Sequence, residues 1–240
     1  MTPSAAYCPP PKGDGLGGEG IVIKPASGEY SSVVLWMHGL GDSAMGWYQS
    51  MPGLNLQSTK FVLPTAPNRP ISINGGMQMP GWSDIYGLDE DAAEDAPGFA
   101  ESAARIMTLV ENELEQGVPP EKIAICGFSQ GGALALYTSL RAERNIGACV
   151  SCSSWLPMRD EFPAALKARK SLPILQCHGD EDMVVRVTWG MGSHELLKGT
   201  MEDVTFKTYE GMQHSSCFKE LKDVSEFLLK HDIGMPSSKL

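Results

Sequence analysis

Short apolar and β-branched runs alternate along this chain with longer segments whose apolar residues recur at threes and fours. Ser32-Val33-Val34-Leu35-Trp36-Met37 leads into His38-Gly39, Phe61-Val62-Leu63 stops at Pro64, and Lys122-Ile123-Ala124-Ile125-Cys126 ends at Gly127. Ala148-Cys149-Val150-Ser151, Pro173-Ile174-Leu175-Gln176-Cys177 and the alternating Val204-Thr205-Phe206-Lys207-Thr208-Tyr209 complete the predicted strands. Between them, Ala103, Ile106, Met107, Val110 and Leu114 share one helical face that Gly117 and Pro119 bring to an end. Phe218, Leu221, Val224, Phe227 and Leu228 repeat the pattern in a last helix. Strands separated by helices need crossovers, so the expected fold is α/β, with a mostly parallel central sheet covered by helices on both faces. In such sheets reactive residues gather in the loops beyond the strand C-termini.

One stretch breaks the alternation. Residues 64–89 carry four prolines, four glycines and two methionines. So long a segment without a periodic pattern predicts an irregular loop serving as a lid or substrate wall. In it the flexible Met77 and Met79, beside Trp82, suit an adaptable apolar surface. The chain of 240 residues shows no repeat and no linker between halves. It therefore predicts one domain over 19–234, with a disordered Pro- and Gly-rich tail at 1–18 and a flexible tail at 235–240.

Charge and composition narrow the partners. The net charge of −10 argues against nucleic acid and offers no basic patch to anionic lipid. The apolar runs are strand-length, well short of the roughly 20 residues that span a membrane. The acidic block Asp89, Glu90, Asp91, Glu94 and Asp95 reads as a solvated loop leading into a helix N-terminus. No basic-then-apolar leader opens the sequence, so the six cysteines read as free thiols in a reducing, cytoplasmic setting. Cys149 and Cys152 have metal-site spacing but lie in a strand-like run without a second pair, and no metal is expected. Ser238-Lys239-Leu240 matches a peroxisomal address, an alternative to the cytoplasm.

The candidate chemistry centres on Gly127-Phe128-Ser129-Gln130-Gly131, a G-x-S-x-G sequence between a predicted strand and a predicted helix. That context fits a nucleophile elbow, whose strained turn needs small neighbours and aims the serine Oγ into the cleft. A serine needs a base held by an acid, and in this kind of elbow they follow in the order Ser, acid, His. His194 falls inside a helical segment, His231 ends the last helix, and His178 follows a strand with no acid placed before it. His214, in the loop between the last strand and last helix, fits best. Asp180, Glu181 and Asp182 all follow the strand ending at Cys177, and spacing does not choose among them. The oxyanion hole would take the N–H of Gln130, next to the nucleophile, and that of Leu40 in the early strand's exit loop.

Taken in order, His38-Gly39-Leu40-Gly41-Asp42, Pro67-Asn68-Arg69-Pro70, Asn74-Gly75-Gly76-Met77, Trp82-Ser83-Asp84-Ile85, Gly127 to Ala133, His178-Gly179-Asp180 and His214-Ser215 resemble the acyl-protein thioesterase and carboxylesterase branch of the α/β hydrolases. The resemblance implies a cofactor-free serine hydrolase acting on esters and acyl thioesters, including S-palmitoyl-cysteine of lipidated proteins. It implies Asp182 as the acid, a loop over residues 71–87 covering an acyl channel, and Trp155 near that channel. The family usually has Pro after this acid, whereas here Met183 follows, which predicts a looser loop and leaves chain-length preference open. Two alternatives stand beside this reading: a short-chain carboxylesterase whose lid closes the channel, and a non-catalytic receptor or scaffold.

Overall fold

A computed structural model describes residues 20–89 and 92–235. The predicted tail at 1–18 and the Ser238-Lys239-Leu240 terminus lie outside the described residues. A seven-stranded sheet runs in the order β1 (Ile21–Ile23), β3 (Thr59–Leu63), β2 (Ser32–Met37), β6 (Ile123–Phe128), β7 (Ala148–Cys152), β8 (Ile174–Gly179), β9 (Val204–Tyr209). Only β1 is antiparallel to its neighbour. All six predicted strands are present; β1, three residues long, is too short to give a periodic signal.

Among the described residues, five α-helices cover the sheet: α1 (Ala44–Tyr48), α2 (Ala96–Glu115), α3 (Gln130–Arg141), α4 (Val187–Lys198) and α5 (Phe218–Lys230). Period-2 alternation sends strand side chains to opposite faces. Val33, Leu35, Met37, Ile123 and Ile125 pack with α2 and α3 on one side of the sheet. Val34, Trp36, Ala124 and Cys126 pack with α1 and α5 on the other. Fully buried, near-continuous apolar strands are what a sheet covered on both faces requires.

The order of the strands sets the site. The chain builds outward from β2 to β3, then returns across the sheet to β6, so the winding direction reverses between β2 and β6. Their ends lie level, with Met37 opposite Gly127. A crevice opens at such a reversal, beyond the C-terminal ends of the strands.

Residues 64–89 are not an irregular loop. They contain an antiparallel hairpin, β4 (Asn68–Ile71) with β5 (Met77–Pro80), pairing Asn68 with Pro80 and Ile71 with Met77. Pro70 hid β4, because a proline inside a short run reads as a breaker. In a two-stranded ribbon it is tolerated at an edge.

Candidate active site

Ser129 lies directly after β6 with φ 54° and ψ −123°, a backbone region costly for a side chain with a Cβ. The turn is held by its own backbone: the Ser129 N–H donates to the Cys152 carbonyl at 2.8 Å, and the Ser129 carbonyl accepts from Ala133 at 2.9 Å. The small neighbours have steric causes. A Cβ on Gly127 would meet the Gly131 carbonyl, and one on Gly131 would meet the carbonyls of Met37 and His38. The elbow therefore packs backbone to backbone against the end of β2.

His214, on the loop from β9 to α5, has its Nε2 3.0 Å from Ser129 Oγ. Its Nδ1 lies 2.7 Å from Asp182 Oδ2, and its ring packs on Phe128 with centroids 4.9 Å apart. Burial pushes the Asp182 pKa upward, but the His214 hydrogen bond and charge and two backbone N–H groups outweigh it, leaving the pKa below the ordinary carboxylate value. Those N–H groups belong to Val184 and Val185, each 2.9 Å from Oδ1. An ionised carboxylate so placed holds the imidazole with its Nδ1 protonated and Nε2 free to accept the serine proton.

The other two acids are set apart by the same loop. Asp180 accepts from the Gly211 N–H at 2.7 Å, tying the Asp182 loop to the His214 loop, and Glu181 is exposed. His178 is buried and donates from Nε2 to the Val185 carbonyl at 2.8 Å. Burial lowers its pKa, opposed in part by that carbonyl. This fastening, with the two N–H bonds to Asp182, pins the turn that the missing proline predicts to be loose.

Leu40 and Gln130 lie on the two segments that meet at Ser129. A Cβ on Gly39 would lie 3.3 Å from Ser129 Cβ, so the backbone leading into Leu40 passes beside Ser129. Gln130 is the first residue of α3, where backbone N–H groups point outward. Its side chain is wholly buried, accepting from the Trp82 N–H at 2.9 Å and donating to the Ser83 carbonyl at 2.8 Å. His38 accepts from the Ala66 N–H at Nε2 (3.0 Å) and contacts the Gly39 carbonyl through Nδ1, which makes it a brace for the turn.

A cavity of about 770 Å³ opens beside Ser129 and His214. Trp155 lines it, together with Ile73, Ile85, Leu88, Met158 and Trp189. Met77, Met79 and Trp82 do not. Met77 is 63% exposed on the outer side of the hairpin. Met79 faces Gly41, its sulfur 3.6 Å from where a Cβ there would stand. Trp82 is fully buried, and its Nε1–H donates to the His38 carbonyl at 2.8 Å. It ties the His38 turn to Gln130 at the start of α3 and does not line the cavity.

Of the acidic block, Asp89 and Glu94 are exposed and the segment leads into the N-terminus of α2, while Glu90 and Asp91 lie outside the described residues. Asp95 caps α2, accepting from Gly98, and also accepts from the Asp84 N–H. Glu94 accepts from Trp155 and Met158. Among the described residues, Cys152, Cys177 and Glu220 bring potential metal-ligating atoms within 4.8 Å of one another. The hydrogen bond with Cys177, followed by burial, raises the Cys152 thiol well above its usual value, and burial lifts Glu220 to about 7. All three side chains are buried where β7, β8 and the first turn of α5 meet.

The family model for phospholipase/carboxylesterase matches residues 19–232, and the chain belongs to that family of α/β hydrolases. The acyl-protein thioesterase 1 of Gibberella zeae is 38% identical over 221 residues, covering 87% of this chain and 94% of the relative. That of Neurospora crassa is 37% identical over 219 residues, 86% of this chain and 89% of the relative. The crystal structure of acyl-protein thioesterase 2 from Zea mays aligns with a TM-score of 0.80 at 30% identity, over 88% of this chain and 98% of that one. Among the described residues, no helix is long and apolar enough to cross a membrane.

Proposed function

We propose that this chain is a serine hydrolase cleaving acyl thioesters and carboxylic esters, with S-acylated cysteines of proteins among its substrates. The observation that carries the reading is the hydrogen-bonded chain Ser129–His214–Asp182, at 3.0 and 2.7 Å, opening onto a largely apolar cavity. The names of the thioesterase relatives support the acyl thioester as substrate class.

In the proposed reaction, His214 Nε2 takes the Ser129 proton as Oγ bonds to the acyl carbonyl carbon. The carbonyl oxygen becomes an oxyanion facing the N–H groups of Leu40 and Gln130. The thiolate or alkoxide leaves with the proton returned by His214. Water, losing a proton to His214, then attacks the acyl-enzyme, and the acid and free Ser129 are released. Asp182 keeps the imidazole in the required tautomer and stabilises its cation. No metal or cofactor enters this scheme.

Of the alternatives, a cavity plugged by the hairpin is disfavoured because Met77, Met79 and Trp82 lie away from the lining. The test is a panel of thioesters and oxygen esters from C2 to C16, with Ser129→Ala as blank and fluorophosphonate labelling of the serine. Hydrolysis with a maximum at C12–C16, and loss of about 10⁴-fold in Ser129→Ala, is expected. A C2–C4 maximum would establish the short-chain esterase instead. Neither turnover nor labelling would leave the scaffold reading standing.

A further inference from the structure

Glu94 sits in an acidic stretch and is exposed, yet it joins two segments of the chain that both line the cavity. Oε1 accepts from Trp155 Nε1–H at 2.9 Å, and Oε2 accepts from the Met158 N–H at 2.6 Å. Its backbone pairs with Ile85 in an isolated antiparallel bridge. Ile85, Glu94, Trp155 and Met158 all line the cavity, the first two on the segment after the hairpin and the last two on the loop after β7. One carboxylate thus fastens the segment that follows the hairpin to the loop that follows β7.

Two further features show that the loop after β7 needs fastening. Met158 has φ 50°, a left-handed conformation that a side chain with a Cβ holds only when its surroundings fix it. The same loop is gripped from behind by α4, where Ser193 Oγ accepts from the Leu156 N–H at 2.8 Å and donates to the Trp189 carbonyl at 2.7 Å. Glu94 supplies the matching grip from the front. Charge-assisted bonds of this kind are about twice as strong as neutral ones.

We infer that Glu94 is a specificity-determining latch, holding the two segments together as one channel so that long acyl chains are enclosed and short ones are unaffected. The inference rests on the acyl-hydrolase reading above. A short acyl group reaches only the reacting centre, whereas each methylene of a long chain gains binding from both segments. Separating the segments therefore penalises length.

The test measures kcat and KM for C2 to C16 thioesters with the parent enzyme, Glu94→Ala and Glu94→Gln, alongside dodecanoate binding to Ser129→Ala with and without Glu94→Ala. For Glu94→Ala, kcat/KM should fall about tenfold or more at C12–C16, mainly through KM, and stay within about threefold at C2–C4. Glu94→Gln, which keeps one of two acceptor oxygens, should fall between. Dodecanoate should bind about tenfold more weakly when Glu94 is removed. Equal proportional losses at every length, or no loss at C16, would overturn the latch. If the parent hydrolysed nothing, the acyl-hydrolase reading would fall, and the dodecanoate arm alone would still decide for or against the latch.

Discussion

Asp180 and Asp182 stand two residues apart on one loop, and their different partners separate their roles. Asp182 is buried and receives His214 Nδ1 together with two N–H groups of its own turn. Asp180 is exposed and receives a single N–H from Gly211. Asp182→Asn keeps the shape but offers an amide where the imidazole N–H needs an acceptor, favouring the wrong tautomer. Turnover should drop about 10⁴-fold. Asp180→Asn retains an acceptor oxygen for Gly211 and should stay within about tenfold of the parent. Steady-state kinetics on one thioester decides it: a large loss in Asp180→Asn with none in Asp182→Asn would reverse the proposed roles. The histidine was the easier residue to find from sequence, since one candidate lay between the last strand and last helix. The acid was not legible from spacing, because three carboxylates share the turn and hydrogen bonds alone distinguish them.

At the scale of elements, the strand and helix frame was readable because buried parallel strands are continuous apolar runs and the helices keep their period. The hairpin of residues 68–80 was not. Its outer face is exposed, its proline mimics a break, and its methionines mimic a flexible wall. What fixes it is long-range: the Gly41 N–H donates to the Pro80 carbonyl at 2.8 Å, and Trp82 is locked by Gln130 and His38, 48 and 44 residues away. No local pattern carries such contacts, and the same is true of Glu94 and Trp155. The clamp role predicts that Trp82→Phe, which removes the N–H from beneath the buried His38 carbonyl, costs about 1–3 kcal/mol of stability. Activity should fall alike at every acyl length, leaving the profile from C2 to C16 unchanged. Denaturant unfolding with the ester panel checks this. A shift of the preferred length would return Trp82 to the channel wall.

Across the whole molecule, the reversal of winding between β2 and β6 brings the Leu40 turn and the Ser129 elbow together, while β8 and β9 deliver Asp182 and His214 from the far side. The α5 helix packs beneath this assembly, and its first turn carries Glu220, fully buried between the ends of β7 and β8. Burial pushes the Glu220 carboxyl up to about 7, with the Asp223 charge adding to the rise and Ser216 and Cys152 opposing it. The sign for stability follows from proton binding. Above its ordinary value of 4.5 the unfolded chain releases this proton, while the folded protein holds it until about pH 7. Folding is therefore favoured most at and below pH 4.5 by this group, and its contribution is lost as pH rises across that window. The gap corresponds to a loss of about 3 kcal/mol by pH 8, relative to a neutral side chain in the same place. Glu220→Gln has such a side chain, so the difference in unfolding free energy between variant and parent should grow in the variant's favour from pH 5 to pH 8. Urea unfolding of both proteins across that range measures the difference directly, because the other titrating groups are common to the two. Parallel pH profiles would mean that Glu220 is ionised in the folded protein, its charge accommodated beneath the His214 loop.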